Sequence, residues 1–148
     1  NGEGIGAIDP AGGPWHQLVA CTDACYDIGS PDWSPDGGTI AFVIDDTQIW
    51  TVAPDGTGAK KLPIPCDAGC VFNDTPAWSP DGKTIAFVNW TDKGLGHIQV
   101  VGASGGRAKN VTAQSGHYAR PRFSPDGKTI VFEKQEEVDA AAAAHVQQ

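Results

Sequence analysis

The sequence predicts an all-β fold of short antiparallel strands, and three observations carry that expectation. Nineteen glycines and 11 prolines punctuate the 148 residues, a density of turn formers that leaves little uninterrupted length for helices. The tetrapeptide Ser-Pro-Asp-Gly recurs at 34–37, 79–82 and 124–127, spaced by 45 residues both times. The segment behind each copy, such as Thr39-Ile-Ala-Phe-Val43, is apolar at successive positions. A strand of that kind must be covered on both faces.

The match around each tetrapeptide extends over thirteen positions without a gap: 31–43, 76–88 and 121–133. Each copy reads as a β-hairpin. Proline presets φ for the second turn position, aspartate bonds the local backbone, and glycine takes the left-handed conformation that closes the turn. A second unit follows, with a glycine-rich turn: Ile49 to Leu62 matches Ile98 to Val111, and both match Ile5 to Leu18. Two hairpins per period of about 45 residues are the signature of a four-stranded β-propeller blade. In chain order the pieces are a partial blade at 5–18, blades at about 30–63 and 75–112, and a partial blade at 120–133. The repeats thus occupy 1–134, and 135–148 form an alanine-rich tail of strong helix formers.

These pieces amount to three blades' worth, whereas propellers typically close with about four to eight. An open arc exposes apolar flanks and unpaired edges. Two completions are open: a segment of a longer chain, or two copies whose terminal hairpins complete each other's blades to give six. Docking onto a larger assembly is a further expectation. The net charge of −8 argues against nucleic acid as a partner. The longest apolar run, about five residues at Ile40 to Ile44, is far short of the ~20 needed to span a bilayer. Asn1-Gly2-Glu3-Gly4 does not read as a signal peptide, so an exported protein is expected to carry this sequence in mature form.

The blade residues Pro76-x-Trp-Ser-Pro-Asp-Gly-Lys-x-Ile-Ala-Phe87, with Ile49-x-x-Val52 and Asp55-Gly-x-Gly58, resemble the WD-like repeats of the TolB β-propeller family. The resemblance covers about residues 5–133. It implies a propeller fold and a protein partner on the cell envelope. It is less specific for function, since such repeats also occur in the propellers of prolyl-oligopeptidase-type enzymes.

Cys21, Cys25, Cys66 and Cys70 obey the same period, one Cys-x-x-x-Cys in each connection between blades. Pairing within each connection is expected, because equivalent points on neighbouring blades lie further apart than the ~4.4–6.8 Å a disulfide permits. Two such bridges imply an oxidising compartment. A site of four zinc thiolates and free structural thiols are the alternatives.

Other motifs read as scaffold. Gly102-Ala-Ser-Gly-Gly106 matches the nucleophile elbow G-x-S-x-G, but Ser104 aligns with Asp55 in a hairpin turn, not before a helix. Asp36, Asp81 and Asp126 belong to separate turns, while Asp45, Asp46 and Asp92 lie in loops and could at most bind calcium weakly. His16, His97, His117 and His145 lack mutual ligand spacing, and the three Asn-x-Thr acceptors at Asn73, Asn89 and Asn110 read as incidental. Trp33 and Trp78, which align with Phe123, are expected in the core, whereas Trp15 and Trp90 are free to face a partner.

Function is expected where equivalent blades differ. The loops between outer and inner strands do: Asp27-Ile-Gly-Ser, Asn73-Asp-Thr and His117-Tyr-Ala-Arg occupy equivalent places, expected to cluster on one face near the propeller axis. A partner-binding face is therefore expected from Asp27, Asn73, Asp74, His117, Tyr118 and Arg120. The function expected is a non-catalytic, extracytoplasmic (periplasmic or secreted) interaction or scaffold subunit, with no cofactor, no metal and no enzymatic activity. The alternatives are the propeller domain of a peptidase-type enzyme and a glycan- or small-molecule-binding propeller.

Overall fold

The structure, a computed structural model, describes residues 3–22, 25–45, 48–66 and 70–136. Among them, twelve strands form four antiparallel sheets. Strands β1 (Gly4–Ala7) and β2 (His16–Ala20) make the first hairpin. The second sheet runs β3 (Ile28–Trp33), β4 (Ile40–Ile44), β5 (Gln48–Val52) and β6 (Lys60–Lys61) in sequence order. The third repeats that order with β7 (Cys70–Trp78), β8 (Thr84–Thr91), β9 (Gly96–Gly102) and β10 (Lys109–Asn110). The last hairpin joins β11 (His117–Phe123) to β12 (Ile130–Gln135). This is the all-β, three-blade arrangement that the repeats predict. The tail expected from 135, as a short helix or a frayed end, begins inside β12 at Gln135, and its residues 137–148 lie outside the described residues.

The core follows from the apolar strands β4 and β8, which are buried on both faces. Ile40 and Phe42 turn one way, against Ile5 and Leu18 of the first hairpin. Ala41 and Val43 turn the other way and meet Ile85 and Phe87 of the third sheet. Val88 and Ile98 then pack on Tyr118 of the last hairpin. Period-two alternation thus gives each central strand two partners, and successive sheets share one seam each.

Trp33 departs from the expectation: it is 51% exposed, whereas its equivalent Trp78 packs against the seam between the second and third sheets. Trp78 has the inner strands of the second sheet in front of it. The sheet in front of Trp33 is the β1–β2 hairpin, which supplies the outer half of a blade only. Asp32 adds a clamp across the later seam, its Oδ2 accepting the Trp78 backbone N–H at 2.7 Å. The equivalent residues are Ala77 and Arg122, so only this seam has a carboxylate there.

Each Ser-Pro-Asp-Gly turn is held the same way. Ser34, Ser79 and Ser124 donate to Oδ1 of Asp36, Asp81 and Asp126 at 2.6 Å. The same oxygens accept the backbone N–H of Gly38, Lys83 and Lys128. The serine hydroxyl, and then the backbone N–H, hold these carboxyls below their ordinary value of 3.8. A carboxyl with a lower value folded than unfolded stabilises fully above the unfolded value, and that contribution disappears as pH falls through the folded one. The melting temperature should therefore fall steeply below about pH 4, and Ser79→Ala should flatten this acid limb in thermal melts.

Candidate contact face

The inner strand of each sheet carries a bulge at one place. Pairing skips from Gly29 to Asp32, from Asp74 to Ala77 and from Ala119 to Arg122. Two residues, ending in Pro31, Pro76 or Pro121, thus oppose the single Phe42, Phe87 or Phe132. Proline cannot donate to a ladder, which suits it to a bulge. Ahead of each proline, Ser30, Thr75 and Arg120 take left-handed backbone, with φ of 53°, 50° and 49°. Because all three inner strands share it, this strain is part of the blade and not of one site.

Thr75 bears it worst, being β-branched and leaving its Oγ1 buried without a partner. Left-handed backbone costs a non-glycine residue roughly 1–2 kcal/mol, and an unpaired buried hydroxyl about 1–3 kcal/mol, against about 1 kcal/mol of chain entropy for glycine. Thr75→Gly should accordingly stabilise the fold by about 1 kcal/mol in urea unfolding.

Strands β3, β7 and β11 pack side by side, so the segments leading into the three bulges share one end of the sheets. Asp27 is exposed there, and its backbone N–H donates to Asp45 Oδ1 at 3.1 Å. Asp45 Oδ1 also accepts from the Tyr26 N–H at 2.6 Å, which makes Asp45 a loop clamp. Asp46, its neighbour in the expected calcium loop, lies outside the described residues. Arg120 is exposed and donates to both carboxylate oxygens of Glu133, at 2.9 and 3.0 Å. That hydrogen bond and the Glu133 charge raise its guanidinium above the ordinary value, with Asp74 on the neighbouring strand adding to the effect.

The remaining three expected residues look inward. Tyr118 is buried in the last seam, its hydroxyl donating to the Gln114 carbonyl and its ring meeting Phe132 edge-on. Asn73 is buried and its Oδ1 accepts from Asn89 Nδ2 at 2.7 Å. His117 is half-buried beside Trp90, which in turn stacks on Phe72. Trp90 therefore packs within the fold, while Trp15 remains 63% exposed. The surface offered at this end is three carboxylates, Asp27, Asp74 and Glu133, with the one guanidinium of Arg120 held by Glu133.

Disulfides pin the loops that frame this end. Cys21–Cys25 and Cys66–Cys70 are bonded, with Cα atoms 5.3 and 5.7 Å apart. Bonding within each connection displaces the zinc and free-thiol alternatives. Ser104 lies exposed between β9 and β10, so its G-x-S-x-G belongs to a hairpin turn. Gly105, at φ 88°, closes that turn where a Cβ would stand 2.6 Å from the Pro63 carbonyl oxygen.

Reasoning from sequence missed Asn89, Gln99 and Arg107, which surround a polar cavity beside Asn73 and the Cys66–Cys70 bridge. The signal was present: Asn73 and Asn89 stand where the preceding blade has Ile28 and Ile44.

Repeated four-stranded sheets that share apolar seams define a segment of a β-propeller. The chain belongs to the TolB β-propeller domain family, whose model matches residues 16–147. Among solved structures, TolB from Acinetobacter baumannii is 26% identical with a TM-score of 0.72, over 90% of this chain and 32% of its own. The chain thus spans about a third of that structure's length. An oligogalacturonate lyase in complex with manganese matches at 19% identity and TM-score 0.64, over 87% of this chain and 35% of its own. The oligogalacturonate lyase from Vibrio parahaemolyticus matches at 12% and 0.65, over 82% and 38%. At those identities the two lyases share the fold alone. A search of curated protein sequences finds no match.

Proposed function

We propose that this chain is a non-catalytic binding module of an extracytoplasmic propeller, contacting a protein partner through the end at which Asp27, Asp74 and Arg120 gather. The observation that carries this reading is where the blades differ. Turns and bulges repeat from blade to blade, but the residues entering the bulges change from Asp27-Ile-Gly to Phe72-Asn-Asp to His117-Tyr-Ala. A fixed scaffold with one variable, charged end is built for recognition. Family membership supports a partner on the cell envelope, and the two disulfides support an oxidising compartment. The half-blades β1–β2 and β11–β12 take their missing strands from further polypeptide, either more of the same chain or a second copy.

Native mass spectrometry of the protein isolated from its source tests this by reporting companions and copy number together. Companions that disappear in Asp27→Lys/Arg120→Glu, at an unchanged melting temperature, support the face. Companions retained by that variant, or none at all, overturn it. The fold shared with two lyases supports a second reading, a glycan-binding propeller. A rise in melting temperature with oligogalacturonate would favour it.

A further inference from the structure

We propose that the two half-blades form one interface between copies of this chain, β12 of one copy pairing with β1 of a second to close a ring of two. In each complete sheet the second strand pairs with the third, whereas the strands at those places in the half-blades, β12 and β1, keep an unpaired edge. The repeats say what belongs there. Strand β4 meets β5 with Ile40 opposite Val52 and Phe42 opposite Trp50, and β8 meets β9 with Ile85 opposite Val101 and Phe87 opposite Gln99. Carried to the equivalent residues, this register sets Ile130, Val131 and Phe132 opposite Ile8, Ala7 and Gly6 of the second copy. The strand order becomes β11–β12–β1–β2, which is that of the two complete sheets.

The apolar side chains left in solvent are those this join would cover. Ile8 is 58% exposed, whereas Val52 and Val101 at its place are buried. Val131 is 60% exposed, whereas Ala41 and Ala86 are buried, and Phe132 is partly exposed, whereas Phe42 and Phe87 are fully buried. Trp33 is bared for the same reason. Its equivalent Trp78 packs in the cluster that holds Ala41 of β4, and Val131 of the second copy takes that place in front of Trp33. Apolar groups beside an unpaired strand edge favour association, since pairing removes both from water. Glu133, at the place of Val43 and Val88, weakens the join, although Arg120 already holds its carboxylate at 2.9 Å, so no bare charge is desolvated. The count of copies follows from closure. Twelve strands make three blades, and propellers close with about four to eight, so one copy falls short, three overshoot, and two fit.

Light scattering of the full chain over a concentration series tests this. The mass should rise toward twice the 15.4 kDa of one chain and stop there. Dilution separates the copies, so Phe132→Ala should cost more stability at high protein concentration than at low. Val131→Lys and Ile8→Asp, both at exposed positions in the single copy, should keep the melting temperature of the dilute chain and hold it at the single-copy mass. Mixing Ala7→Cys with Val131→Cys under oxidising conditions reads the register: a covalent dimer should form from the mixture and from neither variant alone. A single-copy mass up to the solubility limit overturns the proposal and leaves the missing strands to more of the same chain. An open series of higher masses, or a dimer that persists in Val131→Lys, overturns it equally. Cross-linking of Val131→Cys with itself does so too, since two β12 edges would then be pairing with each other.

Discussion

Phe87→Ala should cost about 3–5 kcal/mol of stability, the range for truncating a fully buried phenylalanine. Phe87 is fully buried on β8, against Ala41, Val43 and Ile49 of the preceding sheet. Truncation forfeits the transfer free energy of the ring and leaves a cavity between two sheets, neither of which can collapse onto it without breaking its own ladder. Domains have about 5–15 kcal/mol in total, so the variant should be largely unfolded in urea well below the wild-type midpoint. Phe132 supplies the control. It holds the same repeat position on β12 but is 42% exposed, and Phe132→Ala should cost less than half as much in the same denaturation series. Equal losses at the two positions would mean that β12 is covered in solution as β8 is, by a further sheet.

That pair of phenylalanines also marks what was legible in the residues. The 45-residue period and the doubly apolar strands disclosed the blades, because covering a strand on both faces leaves few architectures. Which copies would be buried was a different matter. Trp33 and Trp78 are indistinguishable as repeat letters, and only the sheet in front of each decides its exposure. The bulges were likewise hidden: Pro31, Pro76 and Pro121 aligned perfectly, yet the left-handed backbone ahead of them is a property of pairing two residues against one. For the candidate face, sequence variation picked out residues that the structure gathers at one end of the sheets, but it could not separate Asp27 and Arg120, which face solvent, from Asn73 and Tyr118, which serve the seams. Side-chain direction at a bulge does not follow period-two alternation, so a count along the strand misleads there.

Reducing the two disulfides should cost about 2 kcal/mol each, on the chain-entropy account of cross-linking applied to loops this short. Cys21–Cys25 and Cys66–Cys70 each close a sequence separation of four, so little denatured-state entropy is removed per bridge. Their location adds to that figure. Cys21 and Cys25 pack on the first apolar seam, and Cys70 lies beside the Asn73–Asn89 pair in the second, so losing a bridge loosens packing at a seam. Thermal melts with and without reductant, and of Cys21→Ser/Cys25→Ser and Cys66→Ser/Cys70→Ser separately, check this. The Cys21/Cys25 variant should lose more, because its cysteines pack in the apolar cluster with Ile28, Ile44 and Trp50, whereas Cys66 and Cys70 line a cavity already polar. A chain kept reduced would sacrifice about 4 kcal/mol in all, comparable with the entire stability of a marginal domain. Unchanged melting under reductant would remove the physical reason for placing this propeller in an oxidising compartment.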